Sequence, residues 1–248
     1  MRRRDVALAV IALIIAWQVL AWIVHREVLP APYRVLWTFF AELPRELGRH
    51  FLVSGWRVVA SVIVAVLTAT PAGLVLGQSP AFNRLFSPLI YILYPIPKIV
   101  FLPIILLFLG VGDRSKIFMI ALILFFQVLV VVRDEASGLR PELIYSVRSL
   151  GAGRLALFRF VYLPATLPAV LTALRISVGT AIAVLFFAES FATTSGLGYY
   201  IIVEAWGRLA YPEMYAGVVA MSILGLLLYF AVDQLEKRLC PWLSVSGR

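Results

Sequence analysis

Few side chains in this sequence could do chemistry, and the ones that could lie mostly in apolar surroundings. Lys98 follows Pro95 and Pro97 in one greasy stretch, and Gln127, Arg175 and Glu189 interrupt or border others. Polar groups at membrane depth are costly, so such positions are candidates for a solute path. Lys98 is the sharpest of them. Pro95 and Pro97 disrupt the backbone before it and free carbonyls toward a cavity, where a lysine would attract an anionic solute. The competing readings snorkel Lys98 to the surface or pair it with Glu189, Glu204 or Asp113. Gln127 suits an interhelical hydrogen bond as well as a path. Arg175 suits snorkelling at one end of its run. Glu189 suits either the mouth of a path or a structural pair with an arginine.

Enzyme chemistry finds little support. His25 and His50 lie in one long polar segment and read as surface residues, and no paired carboxylates stand out. Cys240 is the single cysteine, which excludes an intrachain disulfide and a cysteine-based metal cluster. The string Gly110-Val-Gly-Asp-Arg-Ser-Lys116 has the wrong spacing for a phosphate-binding loop. No catalytic, cofactor-binding or metal-binding residue is predicted.

The elements that must position these groups follow from composition. Of 248 residues, 62% are hydrophobic and 14% charged, and mean hydropathy is +0.96. Soluble domains are about half apolar and about a quarter charged, so this is a membrane chain. Its net charge of +9 suits the anionic face of a bilayer rather than nucleic acid, because the basic residues cluster between apolar runs. Six runs approach the roughly 20 apolar residues needed to cross: 6–24, 58–76, 88–109, 117–132, 169–188 and 214–232. The first is too long for a signal peptide, and His25-Arg26-Glu27 replaces a cleavage site, so a retained anchor is expected. Arg2, Arg3, Arg4, Arg84, Arg133, Arg140, Arg148, Arg154, Arg159, Lys237, Arg238 and Arg248 fall on one side. The other side holds Arg26, Arg34, Arg45, Arg49, Arg114, Lys116 and Arg208. That bias places both termini in the cytoplasm.

Residues 30–54 carry Val35, Leu36, Phe39, Phe40, Leu43 and Leu47 at helical spacing, with Tyr33 and Trp37 suited to a membrane surface. Tyr199, Tyr200, Trp206 and Tyr211 suit the outer headgroup zone, and Ser195 to Gly198 reads as a tight turn. Gly73, Gly77, Gly179, Gly217 and Gly225 read as close-packing points between helices. No repeat or linker divides the chain, which reads as one membrane domain over 1–248.

The loop 133–168 is the least ordinary part. A helix starts after Pro141 with Glu142 in its first turn. Gly151 and Gly153 permit a sharp change of direction. Leu155, Leu157, Phe158 and Val161 then supply anchors, and Pro164 and Pro168 break the helix before the next span. Such a helix lies parallel to the membrane. Its tip suits either a groove on a partner protein or lipid headgroups.

The spacing PELIYSVRSLGAGRLALFRFVYLPATLP resembles the cytoplasmic loop of permease subunits of binding-protein-dependent ABC importers. That loop carries Glu-Ala-Ala-x-x-x-Gly and, further on, Leu-Pro. Gly151 matches the glycine and Leu163-Pro164 the Leu-Pro, while Glu142, Arg148, Leu150 and Ala152 also look familial. Tyr145-Ser146-Val147 stands where the family has Glu-Ala-Ala, which puts Tyr145 in place of a charged contact. Tyr94 to Phe118 and Ala188 to Trp206 resemble the branch serving nitrate, taurine, alkanesulfonates and related solutes. The resemblance covers about Pro30 to Leu239.

It implies an all-α, six-span type I importer permease in the bacterial inner membrane. Two copies, expected to be a homodimer, would enclose a path. Two ATPase subunits would hold ATP and Mg and receive the coupling helix, through Glu142, Tyr145, Arg148, Leu150, Gly151, Ala152, Arg154 and Pro164. A periplasmic binding protein would deliver the solute. Lys98, Pro97, Gln127 and Glu189 are the path candidates. The alternative is an ion-coupled secondary transporter, whose inverted repeats and midplane carboxylates are not evident.

Overall fold

The computed structural model describes residues 3–191 and 193–244; Arg2 and Arg248, counted in the charge bias, lie outside the described residues. Every regular element among them is helical. The helices are α1 (Arg3–Val24), α2 (Pro32–Glu42), α3 (Glu46–Gln78), α4 (Pro80–Leu93), α5 (Leu102–Leu109), α6 (Asp113–Ser137) and α7 (Pro141–Ser149). They continue with α8 (Arg154–Leu157), α9 (Leu163–Ser190), α10 (Leu197–Tyr199) and α11 (Tyr211–Leu239). Four stretches are long and apolar enough to cross a bilayer: α3, α6, Arg154–Ser190 and α11. A fifth exists if α4 and Lys98–Leu109 count as one broken span, bent by 81°. The apolar part of α1, Leu8–Val24, is shorter. Six crossings were expected from sequence; length and apolarity alone identify four or five.

The chain forms two compact units. One comprises Met1–Gly55 with Phe186–Leu224, the other Trp56–Leu185 with Gly225–Arg248.

In the second unit a core of Ala69, Leu74, Val128, Leu129, Val132 and Leu171 joins α3, α6 and α9. Two glycines set how closely α3 approaches α6. A Cβ on Gly73 would lie 2.8 Å from Val132 Cβ, and one on Gly77 would lie 2.7 Å from the Arg133 carbonyl oxygen. Both are the backbone-close contacts that small residues permit in membranes. Gly179 differs from expectation: a Cβ there meets nothing within 4 Å. Helix α4 starts as its sequence suggests, with Ser79 as N-cap and Pro80 in the first turn. The 88–109 run does not stay straight, because Pro95 and Pro97 supply no backbone N–H to continue α4.

The expectation that Pro164 and Pro168 end the helix is corrected. Both lie inside a continuous helical stretch, Arg154–Ser190. A π-helical turn at Phe158–Tyr162 precedes Pro164. Such a turn rewires the local hydrogen bonds and lets a proline enter without a break. Leu157 and Val161 are buried as anchors, whereas Leu155 is exposed. Arg175, read as snorkelling, instead pairs with Glu236 and Asp233 of α11.

In the first unit α2 buries Pro32, Val35 and Phe39 and exposes Leu36, Trp37 and Phe40. Residues 196–205 pack closely against α11: a Cβ on Gly217 would meet the Ile201 and Tyr200 side chains.

Candidate functional site

Three of the four path candidates share one cavity in the second unit. About 300 Å³ in volume, it is lined by Tyr94, Pro97, Lys98, Phe126, Gln127 and Thr180, among others. The α4 break builds it. Pro95 and Pro97 offer no amides here, and the carbonyls at and just past the end of α4 turn to Lys98, whose Nζ donates to the oxygens of Leu93 (2.9 Å), Tyr94 (2.9 Å) and Ile96 (3.3 Å); Leu93 also accepts the Ile96 N–H at 3.4 Å. A cation at a helix C-terminus also complements the helix dipole. The ammonium lies 4.5 Å from the Phe126 ring centroid, a cation–π distance. Lys98 therefore places its ammonium at the cavity with its three N–H groups committed to backbone. The competing reading, a carboxylate partner, is not what the structure holds. Asp113 receives Arg57 at 2.7 and 2.8 Å, and Glu189 and Glu204 have the partners given below. No carboxylate lines the cavity. Gln127 contributes a buried Oε1 with no hydrogen-bond partner among the described residues. The cavity thus offers one fixed positive charge and one open acceptor on otherwise apolar walls.

Glu189 is not a member of that cavity. It is fully buried in the first unit and organises a turn. Ser54 Oγ donates to its carboxylate at 2.7 and 3.0 Å, and the Gly198 N–H donates at 3.1 Å. The Leu197 N–H donates to Ser54 Oγ (2.8 Å) and the Gly196 N–H to His50 Nδ1 (2.9 Å). Three successive amides are thereby held by side chains from α3 and α9. Gly196 has φ +112°, a left-handed conformation that favours glycine, and its missing Cβ leaves room for the Glu189 carboxylate.

His50, read as a surface residue, is completely buried. Its Nε2 faces Glu204 at 3.4 Å and Glu46 at 3.7 Å. The donor atoms of Glu46, His50 and Glu204 lie within 4.8 Å of one another, a spacing that fits a metal ion. The tautomer opposes it. Nδ1 accepts an amide proton, so the neutral ring carries its proton on Nε2, the atom a metal would need. Tyr200, expected among the headgroups, is also buried, with its hydroxyl lacking a hydrogen-bond partner among the described residues. Burial first, then the carboxylates of Glu42, Glu213 and Glu204, raises its pKa well above the usual range, so it is neutral.

The loop residues sit together on a protruding element. Helix α7 buries none of its residues. Leu143, Tyr145 and Leu150 are 50%, 65% and 86% exposed. Glu142, Arg148, Arg154 and Gly151 are also exposed, while Ala152 and Pro164 are half-buried. Gly151 closes α7 with φ +82°, its N–H donating to the Arg148 carbonyl at 2.9 Å. Gly153 is extended and needs no glycine.

Sequence reasoning missed Arg57 and Lys116 as buried charges. Lys116, counted as an outer-loop charge, is fully buried, and its Nζ donates to the Val111 carbonyl at 2.6 Å. The only sequence signal was a lysine and an arginine immediately beside apolar runs.

With this geometry in view, the comparisons decide the family. Residues 61–244 match the model of the binding-protein-dependent transport system inner membrane component. The chain belongs to that family. It is similar to the taurine transport system permease protein TauC of Escherichia coli (strain K12), 34% identical over 79% of this chain and 71% of that one. A Bacillus subtilis (strain 168) protein named for aliphatic sulfonates transport, SsuC, is 30% identical over 93% of this chain and 85% of that one. The fold is like that of a chain of the MetNI methionine ABC transporter in an inward-facing conformation. The TM-score is 0.65 at 21% identity, covering 78% of this chain and 95% of that one. This inner-membrane component is therefore the permease subunit of an ABC importer, a transport subunit whose ATPase is a separate chain. That assignment favours the ATP-driven reading over the ion-coupled one.

Proposed function

We propose that two copies of this permease enclose a path for a small anionic solute. A periplasmic binding protein delivers the solute, and two ATPase subunits, which hold the ATP and Mg, power transport. The chain crosses the membrane six times with both termini in the cytoplasm. The observation that carries the coupling role is the apolar tip of α7. Leu143, Tyr145 and Leu150 protrude on a helix that buries nothing within its own chain. An exposed apolar patch of this kind needs a cover. Glu142, Arg148 and Arg154 surround it with charge, and Gly151, Ala152 and Pro164 connect it to the next helix. ATP drives transport by binding more tightly to the arrangement in which the two loops approach each other.

The anionic character of the solute rests on the Lys98 cavity and on the aliphatic sulfonates named for one relative. At an effective dielectric of about 20, a unit charge about 4 Å away interacts by about 4 kcal/mol, so Lys98 acts through its field while staying bonded to backbone. Pro97 and Gln127 line the same space; Glu189 serves the turn beside it in sequence.

The deciding experiment is uptake of a sulfonate into proteoliposomes holding this chain, its ATPase and its binding protein. Uptake is expected only with all three and ATP. Equal uptake by this chain alone would sink the proposal. Leu150→Asp should abolish ATPase co-purification while leaving membrane insertion unchanged.

A further inference from the structure

The first unit contains a cavity apart from the path candidates. Beyond α1 the chain turns at His25, which has φ +46°, and runs into α2. This turn, the end of α1, the start of α2 and the approach to α11 enclose about 540 Å³. Gln18, Trp22, Arg26, Tyr33, Arg34 and Tyr211 are among its lining residues. Two arginines face one carboxylate, Glu27, so the lining carries a net positive charge. Arg34 is oriented by Tyr33: its Nε donates to the phenol oxygen at 3.2 Å, and its guanidinium lies 5.9 Å from that ring. The Arg26 guanidinium has no hydrogen-bond or ion-pair partner among the described residues, and Glu27 forms no ion pair with either arginine.

The apolar surface leading to this cavity gives it meaning. Leu20, Trp22, Ile23 and Val24 on the last turns of α1 are all exposed. An apolar helix emerging from the bilayer reaches the headgroups where its apolar run ends, and here that point is His25-Arg26. We propose that this cavity binds the phosphodiester of a membrane phospholipid. Arg26 and Arg34 donate to its phosphate oxygens, Trp22 and Tyr33 border the glycerol region, and the acyl chains lie along α1. Arginine's planar fork suits a phosphodiester, and a charge-assisted bond is roughly twice as strong as a neutral one. The site depends on α1 lying in the membrane and not on any transport step.

The test uses the intact transporter, purified with its ATPase and delipidated in mild detergent. Native mass spectrometry then follows titration with dioleoylphosphatidylglycerol. One tightly retained lipid per copy of this chain is expected. The double variant Arg26→Gln/Arg34→Gln should lose at least about tenfold in apparent affinity, equivalent to about 1.4 kcal/mol. Arg49→Gln, an exposed arginine paired with Glu46, should change nothing. Equal retention by the double variant would overturn the proposal. So would equal competition from dioleoylglycerol, which lacks the phosphate, or displacement of the lipid by millimolar inorganic phosphate, which would assign the site to the free anion. An unchanged melting temperature verifies that the double variant is folded.

Discussion

At the level of single residues, two buried polar groups make opposite demands. Gln127 Oε1 is buried without a partner, and leaving such an atom unsatisfied costs about 1–3 kcal/mol. If it serves the solute, Gln127→Leu should stabilise the purified transporter while raising the KM for uptake; a higher melting temperature with unchanged KM would remove it from the path. Ser54 is the reverse case. Its hydroxyl donates to Glu189 and accepts from Leu197, so Ser54→Ala removes one donor from a buried carboxylate and strands the Leu197 amide. A loss of about 1–3 kcal/mol per stranded group is expected as a lower thermal midpoint. Lys98→Met should reduce uptake of an anion and also unbind the carbonyls that end α4. Lys98→Arg restores the charge and separates the two effects, and uptake equal to wild type in Lys98→Met would retire the field argument. Lys98, Pro97 and Gln127 were legible in the sequence because each is odd in an apolar run. The Ser54–Glu189–His50 cluster was not, because Ser54 and Glu189 are 135 positions apart and a lone serine or histidine carries no local pattern.

At the level of elements, periodicity and proline placement go a long way. Pro141 starts a helix where expected, and Gly151 ends α7 in the left-handed region. The two π-helical turns, at Phe158–Tyr162 and Tyr200–Ala205, have no signature that periodicity detects, which is why Pro164 was misread as a helix breaker. Two glycines test different physics here. Gly77→Leu would force a side chain into Ala136 and the Arg133 carbonyl. Overpacking of this kind costs about 1–3 kcal/mol or displaces the helices, so lower yields of folded protein are expected. At Gly151 a Cβ meets nothing in this chain within 4 Å; the obstacle is φ +82°, disfavoured for a residue with a Cβ by about 1–2 kcal/mol. Gly151→Val should therefore insert normally, redirect the loop and weaken ATPase co-purification. Gly153→Ala, at an extended position, should do neither.

At the level of the whole molecule, the remaining question is which side of the membrane each segment faces. Coupling to an ATPase requires α7 to be cytoplasmic, and delivery by a binding protein requires the α1–α3 connection to be periplasmic. The charge bias agrees but is a statistical argument, and buried Lys116 removes one of the charges counted on the outer side. The chain allows a direct measurement because Cys240 is its single cysteine and is buried. In a Cys240→Ser background, Ser146→Cys reports α7 and Arg45→Cys reports the connection between α2 and α3. Both positions are exposed, so neither depends on opening the fold. In intact cells a membrane-impermeant maleimide should label Arg45→Cys at once and Ser146→Cys only after lysis. Labelling of Ser146→Cys in intact cells would place the apolar tip of α7 away from any ATPase, and no rearrangement within the bundle could then supply the coupling.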